Sequence, residues 1–96
     1  MPLAVLSALS EPTRLGAMQI LSDKGEHCVC ELMVRLDVTQ SRMSRHMQVL
    51  KQAGLVVDRR DAQWVRYRRN PELAPELDAL LEAALTANSI MERMVA

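Results

Sequence analysis

Cys28 and Cys30 are the only thiols of this 96-residue chain, and both fall in the stretch HCVCELM at positions 27–33. A thiolate is a soft metal ligand and a redox-active group, so a pair one residue apart brings both chemistries to one place. The loop between them is too short for a bond across it to stabilise a fold as a cross-link. Cys28–Leu36 reads as a helix whose apolar face is Val29, Leu32, Met33 and Leu36. On a helix, residues i and i+2 point about 200° apart. The two thiols then cannot face one core as small hydrophobes, and they cannot hold one atom while the helix is intact. A two-sulfur site therefore requires the first turn to unwind or bend, which would make it a switch. The helix N-terminus favours thiolate, and Glu26 and Glu31 oppose it. His27 reads as an exposed residue at the start of the helix, not as a ligand.

A second group of residues suits DNA. Gln40, Ser41, Arg42, Ser44 and Arg45 occupy the exposed positions at the start of a helix whose apolar positions are Met43, Met47 and Leu50. All five can donate hydrogen bonds. Arginine pairs bidentately with guanine and glutamine with adenine. His46 and Lys51 lie further along and suit phosphates, as do Arg60 and Arg66 in the segment that follows. A solvated helix face is the plain alternative. Charge distribution argues against it. The chain is neutral overall, yet residues 40–70 hold eight basic side chains against two acidic ones, a local charge of +6, balanced by −6 in the remainder. Local charge governs contact with a polyanion.

These groups need elements to position them. Ninety-six residues make one domain, 1–96, and a chain so short is marginal without very good packing or a partner subunit. Residues 3–9 form a short apolar helix. Ser10 is the expected N-cap of a second helix, with Pro12 in its first turn and Lys24-Gly25 at its end. Cys28–Leu36 and a Thr39-capped helix running to Ala53 and stopped by Gly54 are joined by an Asp37-Val38 turn. Period-two alternation from Val56 to Asp61 and Trp64 to Arg69 predicts a hairpin. Asn70 is the expected cap, and Pro71 the expected start, of a last helix over 71–95. Its apolar face is wider than so small a chain can cover. The expected fold is mainly α with a small β-hairpin, a homodimeric winged helix-turn-helix with terminal helices 3–9 and 71–95 at the dimer interface. In that arrangement the second helix of the pair enters the major groove. No signal-peptide pattern or long apolar run is present, so the expectation is a cytoplasmic protein with reduced thiols and no membrane partner.

The stretches ALSEPTRLGAMQIL (8–21), HCVCELM, TQSRMSRHMQVLKQAGLV (39–56) and RRDAQWVRYRRNP (59–71) resemble the ArsR/SmtB family of metal-responsive repressors, most closely its arsenical-resistance branch. The resemblance covers almost the whole chain. It implies a homodimer that binds an imperfect inverted repeat in double-stranded operator DNA and leaves it when an inducer binds. It implies no permanently bound cofactor, with trivalent arsenic or antimony as the inducer held by Cys28 and Cys30. Two departures matter. The best-known members carry CVC-x-x-C, whereas Met33 stands at the third position here, so only two protein sulfurs are available. An organoarsenical, whose carbon already fills one coordination place, then needs no further ligand. Ala62 stands at the hairpin tip where such wings usually have glycine. The last helix has no histidine, so the carboxylate–histidine zinc site of some members is not expected.

Two alternatives stay open. The thiols could form a redox sensor on the same scaffold, although a disulfide across one residue is disfavoured geometrically. They could also be inert. An enzyme is not expected, because no nucleophile–base pair and no glycine-rich phosphate loop is present; Ser44 and His46, at i and i+2, do not face each other.

Overall fold

The computed structural model describes residues 2–95. Five α-helices and three strands follow one another: α1 (Pro2–Leu9), α2 (Pro12–Ile20), β1 (His27–Cys28), α3 (Val29–Leu36), α4 (Gln40–Gln52), β2 (Val56–Asp61), β3 (Trp64–Arg69) and α5 (Pro75–Val95). The antiparallel sheet has the order β1-β3-β2. This is a winged helix-turn-helix: α3 and α4 form the helix pair, and β2–β3 form the wing.

Local chemistry explains the boundaries. Glu11, not Ser10, caps α2: its Oε2 accepts the Arg14 backbone N–H at 2.9 Å, while Pro12 occupies the position where a missing N–H costs nothing. The Ser10 hydroxyl instead donates back to the Ser7 carbonyl, closing α1. A 3-10 turn, Leu21–Asp23, extends α2, and Lys24 takes the left-handed conformation with φ 66°. Asp37, also left-handed at φ 55°, ends α3, and its N–H and that of Val38 both return to the Met33 carbonyl. Thr39 caps α4 through Oγ1. Gly54, at φ 82°, ends it with the backbone freedom that glycine alone has without strain.

The last helix starts later than the sequence suggests. Asn70 does not cap it. Its Oδ1 accepts from the Glu72 N–H two residues on, a turn contact, while its Nδ2 donates to the Gly54 carbonyl at 2.9 Å and ties the end of the wing to the end of α4. Ala74 precedes a proline and is steered away from the helical region, so α5 begins at Pro75 and not at Pro71.

Met18, Leu21, Leu32, Met43, Met47, Leu50, Leu55 and Leu81 are fully buried in one core shared by all five helices and the sheet. The apolar spacing of α4 thus points inward as expected, and the opposite face of α4 is left to solvent.

Candidate thiol site and nucleic-acid interface

The thiol site differs from its sequence expectation in one decisive respect. Cys28 is not in the helix. It is the N-cap of α3, in extended conformation (φ −67°, ψ 144°), because strand β1 pairs it with Arg66 of β3. Only Cys30 lies on the helix. The i, i+2 divergence of an intact helix therefore does not apply, and no unwinding is needed to bring the sulfurs together. The Cα atoms are 5.1 Å apart, and the two Sγ atoms are joined as a disulfide. The Cys28 Sγ also takes the acceptor role of the cap, receiving the Cys30 backbone N–H at 3.3 Å. Cys28 is buried and Cys30 half-buried.

The side chains around the pair are already engaged. His27 is not exposed: its side chain retains 12% of its accessible surface, with Nδ1 2.9 Å from Glu31 Oε2 and Nε2 2.8 Å from Asp23 Oδ2. Burial pulls its pKa down, but the Glu31 and Asp23 hydrogen bonds outweigh that, and the net shift is upward. With a carboxylate on each nitrogen, neither ring nitrogen is free to ligate a metal. The Arg35 and His27 hydrogen bonds hold the Glu31 carboxyl below its usual range. Glu26 is gripped by Arg59 in a two-pronged ion pair at 2.7 and 2.8 Å, which lowers its pKa and binds the segment before β1 to the wing. Met33 packs against the core. Among the described residues no three His, Cys, Asp or Glu side chains converge on a metal position.

On the candidate DNA face, Gln40, Ser41, Arg42 and Arg45 are exposed at the start of α4, and Ser44 is half-buried. The other basic positions divide into engaged and unengaged. Lys51 pairs with Asp58 at 3.1 Å, and Arg66 donates to Asp61 at 2.8 Å. Arg60 and Arg68 are exposed on the wing and make no ion pair among the described residues. Arg69 is turned away altogether. Its side chain is 2% exposed and bridges Asp78 and Glu82 of α5, so one of the eight charges of the basic segment serves the fold.

His46 is the residue the sequence places least well. Its side chain is only 18% exposed, with Nδ1 3.1 Å from Arg14 Nη1 and 3.6 Å from Glu11 Oε2. Burial pushes the Glu11 carboxyl up, but backbone N–H bonds from Arg14 and Thr13 bring it below its ordinary value. Arg14 has no counterpart in the sequence reading. It lies 32 positions before His46, and no local pattern relates the two.

Comparison with known proteins agrees with this architecture. The family description "Bacterial regulatory protein, arsR family" matches residues 11–57, from the cap of α2 into β2. The arsenic resistance transcriptional regulator ArsR2 of Pseudomonas putida is 44% identical over 92% of this chain and 76% of its own length. Among solved structures, HlyU of Vibrio cholerae is 34% identical with a TM-score of 0.73, covering 85% of each chain. A structure described as a possible transcriptional regulator for arsenical resistance is 33% identical, with a TM-score of 0.66 over 95% of this chain and 92% of that one. A relative of this identity and coverage settles the family: the chain belongs to the ArsR family of bacterial transcriptional regulators, DNA-binding proteins and not enzymes.

Proposed function

We propose that this chain is an arsenical-responsive repressor. A homodimer binds an inverted repeat in operator DNA, with α4 in the major groove and the β2–β3 wing along the backbone. Trivalent arsenic or antimony releases it by binding the reduced Cys28 and Cys30 thiolates. The observation that carries this reading is the convergence of the two sulfurs at the junction of β1 and α3. Cys28 sits opposite Arg66 of the wing strand, and α3 leads through a three-residue turn into α4. A ligand that claims the Cys28 sulfur takes it from the Cys30 N–H that it now caps. The start of α3 then moves relative to both DNA-facing elements. A ligand that favours this displaced state disfavours the DNA-bound one, which is the differential affinity that induction requires.

Two sulfurs suit a methyl- or aryl-arsenical, whose carbon fills the remaining place. Inorganic arsenite needs a ligand from solution. Gln40, Ser41, Arg42, Ser44 and Arg45 read bases, and Lys51, Arg60 and Arg66 meet phosphates. The exposed apolar residues Leu3 and Leu6 of α1 and Ile90, Met91 and Met94 of α5 supply the dimer contact.

The disulfide between Cys28 and Cys30 favours a second reading, a thiol redox sensor in which oxidation takes the place of the metalloid. Fluorescence anisotropy on operator DNA separates the two. Reduced protein should be released by methylarsenite at least as readily as by arsenite, and Cys28→Ser with Cys30→Ser should be unresponsive. Release by diamide in metal-free buffer, with no response to either arsenical, would establish the redox reading instead.

A further inference from the structure

Three elements meet at Arg14. Its Nε donates to the Ala8 carbonyl at the end of α1 at 2.7 Å, and its backbone N–H is held by the Glu11 cap of α2. Its Nη1 lies 3.1 Å from Nδ1 of His46 on α4. A guanidinium can only donate and does not lose its proton in proteins. The nitrogen facing it must therefore be the bare acceptor nitrogen of the imidazole. This assigns His46 as a neutral ring with hydrogen on Nε2. Protonation of Nδ1 would set two donors and two positive charges against each other, and Glu11 Oε2, at 3.6 Å, is beyond hydrogen-bond range.

Burial of Met43, Met47 and Leu50 holds α4 to the core, but apolar burial is non-directional and leaves the helix free to rotate slightly on its bed. Reading base edges demands placement to within about 0.5 Å and 10–20°. A directional bond from a fixed corner supplies what packing does not. His46 also lines a shallow notch of about 290 Å³ with Arg42 and Arg45, so the restraint acts beside the base-reading arginines.

We propose that Arg14 and His46 form a positioning latch: the Arg14 guanidinium, anchored on the α1–α2 corner, holds the bare Nδ1 of His46 and so sets the rotation of α4 on which operator discrimination depends. His46 then contributes to DNA binding as a positioning residue and not through a phosphate, and Arg14, which touches no base, is a specificity determinant. The latch rests on α4 being the DNA-reading helix.

Two measurements test it. The ¹⁵N shifts of the His46 ring in the intact wild-type protein at neutral pH should show a bare Nδ1 and a protonated Nε2. Affinities for operator and for unrelated duplex should then be measured for Arg14→Met, His46→Leu and the double variant, with thermal melting alongside. Each single change should weaken operator binding about tenfold, the usual scale for a hydrogen bond to a charged group, and leave unrelated DNA nearly unaffected. The double variant should be no worse than either single one, because one interaction is lost in each. His46→Asn, whose amide oxygen can stand where Nδ1 stands, should restore discrimination, and His46→Gln should not. A protonated Nδ1, losses that multiply in the double variant, or rescue by Gln and not by Asn would overturn the latch. If Arg42→Ala and Arg45→Ala are also silent, the docking of α4 itself is wrong; if they respond while Arg14→Met does not, only the latch is.

Discussion

In the proposed docking, single side chains divide the basic surface into readers, phosphate contacts and structural charges. Arg42 and Arg45 are exposed at the start of α4, so Arg42→Ala or Arg45→Ala should cost about 1–3 kcal/mol of operator affinity and relax the base preference at one position. Arg60→Ala should weaken binding to all sequences alike and reduce the salt slope by about one, as measured by anisotropy over a salt series. His27 makes a different prediction. Its pKa is raised by Glu31 and Asp23, so the folded protein holds that proton more tightly than the unfolded chain does. The stabilisation is complete below the unfolded value, about 6.5, and disappears as pH rises through the higher folded value. Melting temperature should therefore fall as pH rises above about 6.5 in the wild type, and the fall should be smaller in His27→Gln. The melting curves of the two proteins running parallel across that range would show that the clasp does not contribute.

Among the elements, the wing carries a visible strain. Ala62 sits at φ 57° in the two-residue turn between β2 and β3, where a Cβ is disfavoured. Ala62→Gly should stabilise the fold by about 0.5–1 kcal/mol, the relief of strain outweighing the extra freedom of glycine in the unfolded chain. Chemical denaturation measures this directly, and a lower midpoint would mean the tip is not under strain. The wing is also tied down at its base, by Asn70 to the end of α4 and by Arg69 to α5, and at its flank by the Arg59–Glu26 pair. These ties place the β1 thiol site, the wing and α4 in one connected unit, as the proposed release mechanism requires.

For the molecule as a whole, the exposed apolar residues are concentrated on the two terminal helices. Leu3 keeps 73% of its surface exposed and Met94 74%, far more than a packed helix face leaves open. Patches of this kind mark interaction sites. Removing residues 90–95 should shift the sedimentation coefficient to that of a single chain and abolish tight operator binding, since one half-site holds too few contacts. A truncated chain that still sediments as a dimer would place the interface elsewhere. Among the described residues no helix is long and apolar enough to cross a membrane.

Much of this protein follows from local rules acting on its sequence. The inward spacing of Met43, Met47 and Leu50, the Thr39 cap, the Gly54 stop and the alternation of the wing strands each depend on neighbours a few residues apart, and each is found where it was expected. The exposure of Gln40, Ser41, Arg42 and Arg45 follows from the same spacing. Tertiary structure alone decided the rest, because those outcomes depend on partners distant in the chain. Pairing of β1 with β3 drew Cys28 out of the helix and let the two sulfurs meet, overturning the divergence that an unbroken helix would impose. Asn70 turned from a cap into a brace because Gly54 came within its reach. Arg69, one basic residue among several in sequence, was buried against α5, and His46 met Arg14 from a distant part of the chain. A sequence states which groups can donate, accept or carry charge; which partner each one finds is settled only when the chain closes on itself.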